Sequence, residues 1–236
     1  MQKGATMRVF LFPLAAGLTI FSATAYAGAL GNEPAQVAAP APDFGGAALY
    51  FTVHGGVVFL PDVTADLSPD DTGIFHMTPG YRVGGSIGYD FSPNFGIEGE
   101  VSDAGLGIDS VTFFDPAPEG TGSITGNVNV LTLMGNLIFG HQWGALRPYV
   151  GVGAGGARVA ANVQFLDGVN DSAWTWGAQA FAGIDFAVTR NVSLGARYRF
   201  QYIGPTNMSD GDGDPIHNHA FTAHSIEAVL KMSFGG

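Results

Sequence analysis

Residues 192–203 read VSLGARYRFQYI, and two kinds of side chain alternate along them. One set is apolar or aromatic and comprises Val192, Leu194, Ala196, Tyr198, Phe200 and Tyr202. The intervening set is small or polar and includes Arg197 and Arg199. Because successive side chains of a β-strand point to opposite faces, this period of two predicts a strand with one apolar and one polar face.

The same alternation recurs before and after this stretch. We predict eight strands, at 49–60, 79–91, 95–103, 125–141, 147–160, 174–188, 192–203 and 222–234. Short turns such as Ser92-Pro93-Asn94 connect some strands, and long loops follow others, at 61–78, 105–122, 161–173 and 204–221. Tilted strands of about 9–11 residues cross a bilayer. The pattern therefore predicts an all-β fold, a closed antiparallel transmembrane β-barrel with short periplasmic turns and long extracellular loops.

Nearly all the charges that fall within the strands lie on the polar face: Arg82, Glu98, Glu100, Arg197, Arg199, Glu227 and Lys231. A soluble barrel would spread far more charge over its exterior, and a cation in the middle of a lipid-facing surface costs about 2–4 kcal/mol. We therefore predict that this face points inward. Arg197 and Arg199 would face Glu227, with Arg82 near Glu98 and Glu100. Such a charged network either plugs the barrel or lines a narrow, gated pore.

The fourth and fifth strands have less regular faces. In the fourth, a lipid-facing side is predicted by Leu131, Leu133, Leu137 and Phe139, whereas Met134 and Ile138 fall on the other side. In the fifth, the glycine-rich stretch 151–156 gives no readable alternation. The sequence therefore leaves the strand register open in this part of the sheet.

Aromatic residues gather near both ends of the predicted strands. Near the short turns are Tyr89, Phe91, Phe95, Trp143 and Phe186, and near the long loops are Trp174, Trp176, Phe200 and Tyr202. Two such belts are expected where a transmembrane barrel meets the membrane–water interfaces. The alternative is that aromatic residues are simply common in strands.

The composition and the first residues bound the cellular context. The chain has 236 residues, a net charge of −11 and no cysteine, and its acidic balance argues against nucleic-acid binding. Lys3 and Arg8 precede an apolar run at 9–23, and Ala25-Tyr26-Ala27 then fits the small-residue cleavage pattern. Together they predict a cleaved secretory signal peptide at 1–27 rather than an uncleaved anchor. An Ala/Pro/Gly-rich linker at 28–46 and a barrel at 47–236 would follow.

Three motifs, in order, resemble known sequences: GGSIGYDFSPN at 84–94, RPYVGVGAG at 147–155 and GIDFAVTRNVSLGARYRF at 183–200. With the export signal, they resemble the bacterial outer-membrane β-barrel families related to OmpA, OmpX and the opacity proteins. The resemblance implies a Gram-negative outer membrane, contact with its lipid, and insertion by the barrel-assembly machinery. That machinery usually recognises a terminal aromatic residue. Phe234 would be this signal, although Gly235 and Gly236 follow it.

Three functions remain open from the sequence. The first is a structural or surface-interaction role, like that of an adhesin or opacity protein, in which acidic extracellular loops meet a host or another extracellular ligand. The second is a small porin-like channel for ions or small solutes. The third is a lipid-modifying enzyme, but the adjacent His224 and Ser225 point to opposite strand faces. Because no other nucleophile, base and acid stand at credible spacing, we predict no catalytic residues.

The loops suggest metal binding only weakly. The run from Asp210 to Asp214 begins like a calcium loop, but Pro215 and Phe221 occupy the positions that require glycine and glutamate. His76, His217 and His219 are isolated loop histidines, which rarely bind metal or haem. We therefore predict no metal site and no cofactor.

Overall fold

The structure is a computed structural model that describes residues 47–66, 72–115, 117–163, 169–209 and 215–234. Its strands are β1 (Ala48–Phe59), β2 (Val63–Asp66), β3 (Thr72–Ser92), β4 (Phe95–Asp115), β5 (Ala117–Gly140), β6 (Leu146–Val163), β7 (Val169–Ala187), β8 (Val192–Ile203), β9 (Thr206–Ser209), β10 (Pro215–Asn218) and β11 (Phe221–Phe234). Among these residues, no helix is long and apolar enough to cross a membrane.

Eight long strands close into a barrel. Each pairs antiparallel with its neighbours in the circular order β1-β3-β4-β5-β6-β7-β8-β11. Closure occurs at β1, which pairs with β11 from Leu49↔Phe234 to Phe59↔His224 and with β3 from Ala48↔Asp90 to Val58↔Gly80. The predicted eight-stranded antiparallel barrel is confirmed. Closure satisfies every barrel strand edge, as a lipid environment requires.

The prediction of a long loop at 105–122 is wrong. β4 and β5 remain paired from Phe95↔Phe139 to Asp115↔Ala117, so this region is the outer half of a long hairpin. Its glycines and aspartates suggested turns. However, residues 110–114 read SVTFF, which are mostly β-branched and aromatic residues that favour strands, and irregularities in register between Ile108 and Ser110 absorb the interruption.

The other three predicted loops also contain strand residues. Within 161–173, β6 continues to Val163 and β7 begins at Val169. β2 pairs with β3, and β10 pairs with both β2 and β9, which gives the order β3-β2-β10-β9 beyond the barrel wall. A strand needs about 9–11 residues to cross a bilayer, whereas β4 has 21 and β5 has 24. About half of this hairpin therefore projects beyond the membrane on the same side as β2, β9 and β10.

The structure resolves the faces of the fourth and fifth predicted strands, here β5 and β6. Leu133, Leu137 and Phe139 are exposed on the outside, whereas Met134 and Ile138 are buried inside. The inward positions of β6 include Gly151 and Gly153, where an added Cβ would collide with the Phe181 ring and with the Asn136 amide, respectively. The sequence of β6 shows no clear alternation because neighbouring strands supply the side chains that fill its inner face.

The lipid-facing assignment can be tested with one charge. Leu133 is half exposed near the middle of 125–141, the part of the chain predicted to cross the membrane. Leu133→Arg should therefore lower the free energy of unfolding by about 2–4 kcal/mol, measured by urea titration in lipid vesicles. The matched control is Leu146→Arg, at the end of β6 next to a short turn, where the loss should be about 0–1 kcal/mol. Equal losses would contradict the assigned depths.

Candidate functional site

Ten charged side chains are buried inside the described barrel, and their charges balance. Five are cationic, Arg82, Arg147, Arg197, Arg199 and Lys231, and five are anionic, Asp90, Glu98, Glu100, Asp185 and Glu227. All seven residues of the predicted network are among them. Buried charges are tolerated when they are paired and hydrogen-bonded, so an equal number of each sign is what a filled interior requires.

Arg199 is the centre of this cluster. Its Nε and Nη2 donate to the two carboxylate oxygens of Glu227 on β11 at 2.9 and 3.1 Å. Its Nη2 also donates to Glu100 Oε2 at 3.1 Å, and its Nη1 donates to Glu100 Oε1. β8 and β4, which carry Arg199 and Glu100, lie on opposite sides of the eight-stranded circle. This ion pair therefore spans the lumen.

Arg82 donates hydrogen bonds to uncharged side chains. Its Nη2 donates to Gln201 Oε1 at 2.6 Å and its Nη1 to Ser102 Oγ at 3.0 Å, and its nearest carboxylate is Glu227 at 3.8 Å. β4 places Ala104, rather than Glu98 or Glu100, directly opposite Arg82. The backbone of Glu100 is therefore four residues further along the strand, about 14 Å away.

A second group of pairs lies toward the short turns. Lys231 Nζ donates to Asp90 Oδ2 at 2.6 Å, and Arg147 Nη2 donates to Asp90 Oδ1 at 3.2 Å. Arg197 Nη1 lies 3.5 Å from Glu100 Oε2 rather than against Glu227. A small pocket beside these pairs has a volume of about 10 Å³, which is barely enough for one water molecule. It is lined by Tyr50, Thr52, Glu98, Ile138, Arg147, Tyr149, Asp185, Arg197, Val229 and Lys231.

Toward the long loops the inside of the barrel becomes apolar. One buried cluster contains Val58, Ala104, Leu106 and Ala223, and another contains Val130, Ala157, Val159 and Ile203. An eight-stranded barrel has an interior just wide enough for its own side chains. In the described residues, ionic pairs fill one part of that interior and packed hydrocarbon fills the next.

Sequence reasoning missed several members of the interior cluster. Asp90 shares the polar face of the predicted strand 79–91 with Arg82, although it is absent from the predicted network. Arg147 and Asp185 lie near strand ends beside turns. β6 and β7 place Arg147 directly opposite Asp185, and this cross-strand pair could have been found by aligning the two strands from their turns. His54, with Nδ1 3.0 Å from Glu227 Oε2, alternates with Tyr50 and Thr52 and could have been found the same way.

The predicted aromatic residues lie at the two ends of the barrel. On the outside near the short turns, Tyr89, Phe91, Trp143 and Phe186 are exposed. Phe95 is half-buried and contacts Phe91 and Phe139, with ring centroids 5.6 and 5.3 Å apart. At the other end Trp174, Trp176 and Phe200 are exposed and Tyr202 is half-buried. Phe234 is exposed at the end of β11. Their roles as interface belts and insertion signal remain predictions.

The other candidate residues lie apart from the interior. His224 contacts the Tyr198 hydroxyl through Nδ1 at 2.7 Å, whereas Ser225 is buried and donates to Glu227 Oε1 at 2.6 Å. His217 is in β10, and His76 contacts Asp62 and Thr112 near the extracellular end. The acidic run 210–214 lies outside the described residues. Within the described part of the chain, no group of three or more His, Asp or Glu residues could hold a metal ion.

A family model described as the outer membrane protein beta-barrel domain matches residues 14–225. The chain belongs to this family. Membership indicates an outer-membrane location and a lipid environment around the barrel, which agrees with its largely apolar outer face. The side with the short turns is then periplasmic, and the side with the long hairpin is extracellular.

Solved structures show the same fold at low sequence identity. Neisserial surface protein A is 18% identical, and the match covers 80% of this chain and 100% of that chain with a TM-score of 0.50. The outer membrane protein OprG from Pseudomonas aeruginosa is 14% identical, with 80% and 98% covered and a TM-score of 0.50. No curated protein matches the chain.

Removing the central cation should destabilise the barrel strongly. Arg199→Met leaves Glu100 and Glu227 buried without their main partner, so we expect a loss of about 3–5 kcal/mol in the free energy of unfolding in lipid vesicles. Arg158→Met is the matched control, because Arg158 is exposed and donates to Ser172 on the outer surface. It should change stability by less than about 0.5 kcal/mol. Similar effects of the two substitutions would contradict a central role for Arg199.

Proposed function

We propose that the protein is a non-conducting outer-membrane barrel whose role is to hold an acidic extracellular surface for binding. The observation that supports this most directly is the Arg199 cluster, which crosses the lumen from β8 to β4. Apolar packing lies above it and further ion pairs lie below it. With the interior filled, the extracellular segments are the surface that is free to meet a partner.

The charge of that surface indicates the chemistry of the partner. The segments 60–80, 104–128, 160–174 and 204–222 contain no lysine or arginine. They contain twelve acidic residues: Asp62, Asp66, Asp70, Asp71, Asp109, Asp115, Glu119, Asp167, Asp171, Asp210, Asp212 and Asp214. A surface of one sign attracts partners of the other sign and repels its own. The proposal therefore favours a cationic extracellular partner, such as a basic protein segment, over anionic polysaccharides.

A porin-like channel is the competing function, and conductance separates the two. The refolded full chain, shown to be inserted by protection from protease, should give no reproducible current steps in a planar bilayer. Glu227→Gln removes one of the two carboxylates bound by Arg199 and the carboxylate nearest to Arg82, so the loosened cluster should admit ions and raise conductance. Steps from the unsubstituted protein would make it a pore. A silent Glu227→Gln variant would count against this cluster as the barrier.

Binding of charged peptides tests the surface role. Vesicles containing the protein should bind a labelled decalysine peptide more tightly than protein-free vesicles, and should not bind decaglutamate. Because exposed charges are screened, affinity should fall as salt rises from 50 to 500 mM, over which the Debye length shortens from roughly 14 to 4 Å.

The acidic run in the last loop offers matched variants for this measurement. Replacing Asp210, Asp212 and Asp214 together by asparagine should weaken decalysine binding, whereas replacing all three by glutamate should preserve it. Equal binding by the two triple variants would exclude this loop. Equal binding of the cationic and anionic peptides would overturn the proposed preference.

A further inference from the structure

Three side chains from separate chain segments form a hydrogen-bond relay at the extracellular end. Asp62 follows β1, His76 is in β3 and Thr112 is in β4. His76 Nδ1 lies 2.9 Å from Asp62 Oδ2, and its Nε2 lies 3.1 Å from Thr112 Oγ1. The pairing of β2 with β3 places Val63 opposite Phe75, which brings Asp62 beside His76, and the pairing of β3 with β4 places Ile74 opposite Thr112.

In this relay the imidazole of His76 lies between a carboxylate and a hydroxyl, which is the order found in nucleophile-activating sites. A carboxylate on Nδ1 favours the tautomer with the proton on that nitrogen, which leaves the Nε2 lone pair directed at the hydroxyl. This arrangement of acid, base and hydroxyl activates a nucleophile in acyl transfer, and it is recognised by geometry rather than by sequence position. Neither Asp62 nor Thr112 belongs to the charged interior of the barrel.

The local backbone and the exposure suit a reacting site. The β3–β4 register shifts between His76 and Met77, and such bulges re-aim side chains at barrel rims. Met77 packs against the apolar interior cluster, whereas the His76 and Asp62 side chains are 39% and 52% exposed. A substrate in the medium can therefore reach the relay without entering the lumen.

We propose that Asp62, His76 and Thr112 form an ester-hydrolysing site on the extracellular side of the barrel. Thr112 is the nucleophile, His76 the general base and Asp62 the residue that orients the imidazole. The twelve acidic residues of the extracellular segments repel anions, so the substrate class is a neutral or cationic carboxylic ester.

The reaction has two balanced steps. Thr112 Oγ1 bonds to the ester carbonyl carbon while its proton moves to His76 Nε2. The bond from that carbon to the alcohol oxygen then breaks, and the proton on Nε2 goes to the leaving alcohol. In the second step a water molecule gives a proton to Nε2 and attacks the acyl-threonine. The carboxylic acid leaves, the proton returns to Oγ1, and ester plus water has become acid plus alcohol.

The test uses the full chain in lipid vesicles with p-nitrophenyl butyrate, following release of p-nitrophenolate. The unsubstituted protein should exceed protein-free vesicles. Thr112→Val should lose this activity by about 10²-fold or more, because valine has no hydroxyl to attack the ester carbonyl. His76→Gln keeps polar contacts to both neighbours but cannot act as the base, and should lose as much. Thr112→Ser should retain activity. Thr78→Val, at an exposed position on β3, the strand of His76, is the matched control and should be unaffected.

A second measurement separates catalysis from a purely structural tie between β3, β4 and the segment after β1. A fluorophosphonate should label Thr112, located by mass spectrometry, and the label should disappear in His76→Gln while thermal stability stays unchanged. The proposal is overturned if the unsubstituted protein hydrolyses no faster than Thr112→Val, or if the label lies on another residue. Loss of stability in the variants without any difference in hydrolysis would show that these hydrogen bonds only hold the three chain segments together.

Discussion

The ion pair between Arg199 and Glu100 crosses the lumen, and the rest of the barrel depends on its being satisfied. Removing two charges from water is costly unless their attraction and additional hydrogen bonds compensate for the lost hydration. Arg199 meets this requirement with Glu100, Glu227 and Gln179 together. Because side chains alternate with a period of two, a slip of one residue in β8 would turn Arg199 toward lipid. The pair therefore fixes strand register as well as filling the centre.

The balance of charges extends this constraint to the whole interior. Five buried cations face five buried anions, and the described cations outside the lumen are Arg158 and Arg190. Lipid excludes charge from the outer face, and the extracellular segments hold no lysine or arginine. Most positive charge of the barrel is consequently committed to internal neutralisation. The extracellular surface is strongly acidic as a consequence, because the cations buried in the barrel interior lie too deep to neutralise its carboxylates.

Much of this architecture could be predicted from the sequence, and the failures have physical causes. A period of two identified the eight barrel strands and the inward side of Arg82, Glu98 and Glu227. It could not identify partners, because a partner depends on register and Arg82 is offset from Glu100 along the paired strands. The period of two could not be read in β6, because its inward positions include glycines that leave room for the Phe181 and Asn136 side chains of neighbouring strands. It could not reveal the relay around His76, since Asp62 and Thr112 are brought to it only by strand pairing.

The extracellular part of the molecule continues the wall of the barrel. β3, β4 and β5 run on past the membrane, and β2, β10 and β9 extend the same sheet. Fixing one residue of backbone costs about 1–2 kcal/mol in conformational entropy, and here that cost is met during folding rather than on binding. A partner that docks on a paired backbone therefore loses less of its binding energy to ordering the protein. The same reasoning applies to His76, whose two hydrogen-bond partners are Asp62, immediately before β2, and Thr112 in β4.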